Sequence, residues 1–189
     1  MAIGLGIIIA VVVVLVALVF IGYFVGIYNA FVRLRNDIKK SWSNINVLLK
    51  QRHDELPKLI ASVKGYMKHE KSTLAELTKA RTAFMSAKTM DAKAAADNQI
   101  TSALKTIFAV AENYPNLKAN ENFLQLQSRI SGLENELADR REFYNESVNT
   151  YNIKRESFPD MIVAGWMKLQ SKEMFKVSEE EQQDVKVEF

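Results

Sequence analysis

The first 32 residues carry no charge. All 25 Lys and Arg and all 22 Asp and Glu of the 189-residue chain lie at or after Arg33, where they make up about 30% of what remains, against the quarter usual in globular domains. The mean hydropathy of −0.09 averages a segment suited to hydrocarbon with one suited to water. From Ile3 to Val25 the chain reads IGLGIIIAVVVVLVALVFIGYFV, longer than the roughly 20 apolar residues that cross a bilayer core. A cleaved signal peptide has a basic leader and an apolar stretch of about 7–15 residues, and this segment has neither. Residues 1–32 are therefore expected to form a transmembrane signal anchor. Arg33, Arg35, Lys39, Lys40, Lys50 and Arg52 follow the span and only the α-amine precedes it. Lys/Arg-rich flanks stay in the cytoplasm, so the expected protein is single-pass in the inner membrane, with its N-terminus outside and its body in the cytoplasm.

Three features of the span point to contacts. Gly22 and Gly26 form a GxxxG pair, a spacing that lets two transmembrane helices approach closely and so suggests self-association. Tyr23, Phe24, Tyr28 and Phe31 sit where an aromatic belt would. Arg33, Arg35, Lys39 and Lys40 are placed to meet anionic lipid headgroups, each worth about 1 kcal/mol.

The body reads as all-α. Between Arg33 and Phe189 only Gly65, Gly132 and Gly165 and Pro57, Pro115 and Pro159 interrupt the chain, too little turn chemistry for a β fold. Apolar residues recur at three and four from Phe31 through Leu34, Ile38, Trp42, Ile45 and Leu49, then Leu56, Leu59, Val63 and Tyr66. The stripe keeps its phase across Pro57, which predicts a kink and not an end; an N-cap at Asp54 opening a new helix is the alternative. With no Gly or Pro between Ala30 and Leu56, span and body are expected to share one helix. A break is expected near His69, followed by a helix opened by the capping box Thr73 to Glu76. A turn near Thr89 precedes a helix with Ile100, Leu104, Ile107, Phe108 and Ala111, stopped at Asn113-Tyr114-Pro115. The last long stripe is Phe123, Leu126, Ile130, Leu133, Leu137, Arg140, Tyr144, Val148 and Tyr151, ended by Ser157-Phe158-Pro159. The expected architecture is an N-terminal transmembrane helix continuing into an elongated antiparallel bundle of three to four long helices, over residues 33–170. A polar acidic tail occupies 171–189.

No motif points to catalysis. There is no cysteine, so no disulfide, thiol nucleophile or thiolate metal site. The two histidines, His53 and His69, lack the Glu-x-x-His spacing of di-iron bundles. GxxxxGK[ST], GxGxxG and GxSxG do not occur. No cofactor and no metal are expected. The net charge of +3 comes from nearly balanced signs, which gives no reason to expect nucleic acid.

Three polar or apolar groups remain. Arg52 and Arg140 fall on apolar stripes, where a charge must be paired or reach water. The expectation is an internal ion pair with an acid such as Glu112 or Glu134; an anion pocket is the alternative. Tyr28, Asn29, Asn36, Tyr144, Asn145, Asn149, Tyr151 and Asn152 are expected to gather as a structural polar cluster that fixes register or subunit contact. The segment with Phe158, Met161, Ile162, Trp166 and Met167 is apolar; it covers the end of the bundle, meets a partner, or lies in the headgroup region as an interfacial helix.

The segments YNAFVRLRNDIKKSWSNINVLLKQRHDELPKLIASVKGYMKHE and ENYPNLKANENFLQLQSRISGLENELADRREFYNESVNTYN, the SFPD that follows and the final VKVEF together resemble the LemA family of bacterial membrane proteins. Glu55 to Lys58 reads ELPK where that family tends to carry an apolar-Pro-Asn sequence. The resemblance implies a membrane anchor, a cytoplasmic helical bundle and no established enzymatic activity. The function expected is a non-enzymatic, membrane-anchored helical scaffold that self-assembles and organises inner membrane. The alternative is an adaptor or regulator of another membrane protein, such as a membrane protease, through the bundle and the apolar C-terminal segment. Its partners would be the lipid bilayer, further copies of itself and a second membrane protein, with no nucleic acid.

Overall fold

The computed structural model describes residues 2–67 and 69–175. Six helices lie among them: α1 (Ala2–Lys64), α2 (Lys71–Ser86), α3 (Met90–Ala111), α4 (Pro115–Lys118), α5 (Glu121–Glu156) and α6 (Asp160–Trp166). No strand occurs among the described residues, and the fold is the expected all-α bundle with a long apolar N-terminal helix. The chain divides into two compact units. The first comprises residues up to Lys40 with Glu146–Glu173. The second comprises Ser41–Asn145 and, of the described residues, Met174 and Phe175.

The boundaries follow local chemistry. α1 passes through Pro57 and continues to Lys64, so no helix opens at Asp54. Leu56, Leu59 and Val63 stay fully buried on either side of the proline, which is the phase continuity the stripe predicts. The last member of that stripe is different: Tyr66 is exposed and Met67, four residues after Val63, is buried instead, its N–H bonded to the Val63 carbonyl at 2.9 Å. α2 starts at Lys71 with Glu70 as N-cap and no side-chain capping bond. The expected capping box is therefore absent; Thr73 lies inside the first turn and is buried. Thr89 does cap α3, its Oγ1 accepting from the Ala92 N–H at 3.2 Å. Replacing Thr89 with Ala is expected to cost about 1 kcal/mol, read as a lower midpoint in thermal unfolding of the full chain in mild detergent. Pro115 ends the connection after α3 and serves as the first residue of α4, where its missing N–H costs nothing. Asn120 precedes α5, and its Oδ1 accepts from the Phe123 N–H at 3.0 Å.

Unit 2 holds a core contributed by five helices. Leu56, Leu59 and Val63 of α1 meet Leu77 and Ala80 of α2, Ile100, Leu104 and Ile107 of α3, Leu117 of α4, and Phe123 and Ile130 of α5. Each fully buried Leu, Ile or Phe contributes about 1.5–3 kcal/mol. The Phe108 and Phe123 rings meet edge to face with centroids 6.3 Å apart. α1 and α5 run antiparallel here, with Trp42 beside Tyr144 and Arg52 beside Glu134. In unit 1, Phe31 packs edge to face on Tyr151 at 6.1 Å, and both are fully buried.

Candidate functional site

The apolar face of unit 2 is interrupted by a closed network of charge. Arg52, 1% exposed, pairs with Asp97 and Glu134 and donates to Thr101 Oγ1 at 3.0 Å. Asp97, also 1% exposed, pairs in addition with Arg141, and Thr101 donates to Glu134 at 2.8 Å. Two guanidinium groups thus face two carboxylates across α1, α3 and α5. The balance leaves no net charge for an anion to satisfy, so the pairing expected of Arg52 is present, with Glu134 as one of its acids. The other expected acid, Glu112, pairs with Lys118 at the surface.

Arg140 corrects the reading of α5. It is half exposed and meets Glu136 one turn away at 3.6 Å, while its neighbour Arg141 is buried. From Leu137, steps of three or four reach Arg140 or Arg141, and steps of four or three then reach Tyr144. The spacing admits both residues, and the acid at Asp97 decides between them. Sequence reasoning also missed Asp97 itself. Its signal was present: Ala94, Asp97, Thr101 and Leu104 alternate three and four along α3.

Unit 2 also has a polar groove of about 520 Å³, lined in part by Glu55, Lys58, Asn120 and Arg129. Glu55 is buried, and both Arg129 Nε and Lys58 Nζ reach it at 3.0 Å. Lys58 and Arg129 thus offset the buried charge of Glu55. Among the described residues no group of three or more His, Asp or Glu side chains is placed to hold a metal ion.

The Tyr-Asn cluster is only partly assembled, and around an object the sequence did not suggest. In unit 2, Asn145 clamps the backbone of Phe175: its Oδ1 accepts from the Phe175 N–H at 2.7 Å and its Nδ2 donates to the Phe175 carbonyl at 3.2 Å. The Phe175 ring is buried, with Trp42 at 6.2 Å and the Arg141 guanidinium 4.9 Å above it. Tyr144 donates to Met90 Sδ at 3.3 Å. In unit 1 the same device recurs. Asn152 accepts from the Lys172 N–H at 3.0 Å and donates to its carbonyl at 2.8 Å, and Tyr151 donates to the Gln170 carbonyl at 3.0 Å. Burial pushes the Tyr151 phenol above its ordinary pKa, partly offset by Arg35 and Arg155.

Asn29, Asn36 and Asn149 are exposed and take no part in either clamp. At about 100° per residue, Asn145 and Asn152 lie roughly 20° apart on α5, whereas Asn149 is turned about 40° past Asn145, away from the core. Lys172 and Phe175, both within the tail expected from Ser171, are held by these two clamps. The remainder of that tail, 176–189 with its VKVEF end, lies outside the described residues.

Unit 1 carries the apolar surface. One helix, α1, is long and apolar enough to cross a membrane. Every residue from Gly4 to Gly26 is exposed, and a Cβ added at Gly22 or Gly26 would meet nothing within 4 Å. Arg33, Arg35, Lys39 and Lys40 are all exposed. Tyr28 is exposed too, its ring 6.4 Å from Trp166 of α6. Phe158, Met161, Ile162 and Trp166 are exposed, Met167 is half-buried, and Val163 and Ala164 anchor α6.

The sequence model of the LemA family matches residues 41–189. The chain belongs to the LemA family. It is 30% identical over 171 residues to Protein LemA of Metamycoplasma hominis, covering 88% of this chain and 77% of that one. It is 25% identical over 158 residues to Magnetosome proteins MamQ 1 and MamQ 2 of Paramagnetospirillum magneticum, covering 70% of this chain and 58% of each of them. None of these names carries an enzymatic activity. LemA membership and the exposed apolar helix together mark a membrane-associated protein. The family match starts at Ser41, so it spans the charge network and both asparagine clamps and leaves out the apolar segment.

Proposed function

We propose that this LemA-family protein is a membrane-anchored helical scaffold, single-pass in the inner membrane with its N-terminus outside, that self-assembles and organises the surrounding bilayer. The observation that carries this reading is the fully exposed surface of α1 from Gly4 to Gly26, with the open strip at Gly22 and Gly26. Such a surface is stable only against lipid or another apolar helix, and small residues permit close approach of a second copy. The buried charges Arg52, Asp97 and Arg141 of unit 2 are paired within the protein, which favours a structural role over chemistry on a substrate. Two relatives are named for the magnetosome, a name of an assembly and not of a reaction, which suits the same role. The exposed Arg33, Arg35, Lys39 and Lys40 supply contact with anionic headgroups.

The test is mass photometry of the full-length protein in mild detergent over a range of concentrations. Oligomers are expected, and the double substitution Gly22→Ile with Gly26→Ile is expected to shift them towards monomer, because the branched side chains keep two helices apart. Only monomer at every concentration would remove the scaffold reading.

A further inference from the structure

α6 is a short helix with an unusual distribution of apolar side chains. Val163 and Ala164 are buried against unit 1, yet the opposite side is apolar as well: Phe158 just before the helix is 79% exposed, Trp166 78%, Ile162 52% and Met161 50%. From Met161 to Met167 there is no charged residue. A helix facing water carries polar residues on its outer side, so this face is made for another medium.

The position of α6 identifies that medium. Val163 and Trp166 share an apolar groove of about 530 Å³ with Phe20, Ile21, Phe24 and Val25 of α1. These four belong to the end of the apolar run Ile3 to Val25, whose length of about 34 Å exceeds a hydrocarbon core of about 30 Å by little. Phe20 and Ile21 therefore lie inside the acyl region, and Val25 lies near its rim. An element that shares a groove with them lies at the same depth. The ring of Trp166 beside Tyr28 matches the preference of both residues for the headgroup boundary. The charges flanking α6 fit too. Asp160, which anionic headgroups would repel, is paired with Lys154 at 2.9 Å, and Lys168 at the far end is exposed.

We propose that α6 is an in-plane membrane element, embedded at the boundary of headgroups and acyl chains beside the end of the span, and that its groove with α1 holds a phospholipid acyl chain. The inference rests on the reading of α1 as a membrane span. It gives the protein a second attachment to the bilayer, which fixes the rotation of unit 1 about the span; a span alone leaves that rotation free.

The chain contains two tryptophans, so Trp42→Phe leaves Trp166 as the sole reporter. The full-length variant is reconstituted into phosphatidylcholine and phosphatidylglycerol vesicles, with bromine placed either near the headgroup end or near the middle of the acyl chains. About half or more of the Trp166 emission is expected to be lost to the shallow bromines, less to the deep ones, and little to aqueous acrylamide, as for a helix buried some 5–10 Å into the interface. Quenching by acrylamide alone would overturn the inference, and so would protection from both quenchers, which would mean that protein covers this face. Alkaline extraction separates the two readings. A chain that washes off the vesicles overturns the span and α6 together, whereas one that stays while Trp166 faces water overturns α6 alone. Because the chain has no cysteine, Ile162→Cys with a nitroxide label gives the same depth measurement with Trp42 intact.

Discussion

Asp97→Ala is expected to destabilise unit 2 by about 3–5 kcal/mol, because removing one partner of a buried ion pair leaves an uncompensated charge in a low-dielectric interior. Asp97 accepts from both Arg52 and Arg141, so its loss takes a carboxylate from two buried guanidinium groups at once. Domains are stable by only about 5–15 kcal/mol, and the substitution therefore removes a large part of the total. At about 2–8 °C of Tm per kcal/mol, circular dichroism of the full-length variant in mild detergent should show a fall of about 6 °C or more. Glu136→Ala is the matched control. Its partner Arg140 is half exposed, and an exposed helix pair contributes about 0.3–0.5 kcal/mol, so its Tm should barely move. A Tm for Asp97→Ala close to that of the control would show that the network carries no stability.

The contrast between Arg140 and Arg141 also measures how far the sequence can be read. Apolar periodicity sets the direction of each helix face to within one residue, which was enough to place Leu56, Ile107, Ile130 and Tyr151 in the interior and to find the helix start near Thr89. It was not enough for charges, because a long side chain at either of two adjacent positions can reach the same acid, and the acid sits on another helix. Thr73 shows a second limit. T-x-x-E has the form of a capping box, but the turn after Lys64 brings the chain into helix three residues earlier, and Thr73 turns inward beside Leu77. The Asn residues show a third. Their spacing on α5 was legible, but what they bind is backbone of the segment that follows α6, and a backbone partner leaves no mark in side-chain pattern. The apolar α6 segment was legible as three alternatives, and its groove with Phe20 to Val25 supports the interfacial one proposed above.

The clamp at Asn145 and Phe175 carries the second large effect. Phe175→Ala is expected to cost about 3 kcal/mol, the low end of the range for a buried Phe, since water can fill part of the space beside the half-buried Trp42. Asn145→Ala leaves the Phe175 N–H and carbonyl without their partners, at about 1–3 kcal/mol for each buried group. That penalty has a ceiling. Once it exceeds the energy that docks Phe175 between Trp42 and Arg141, the segment detaches and both groups bind water instead. The two substitutions therefore act on one event, and the double variant is expected to lose hardly more than Phe175→Ala alone, roughly 3–4 kcal/mol, as coupled neighbours do. Full-length variants with Trp166→Phe make Trp42 the only tryptophan, and its emission should shift to the red in each, since the Phe175 ring 6.2 Å away shields it. Additive losses with an unshifted Trp42 would mean that Asn145 acts within α5 and not on the segment. Non-additive losses with the shift would establish that Phe175 is the point at which the chain after α6 is fastened to unit 2.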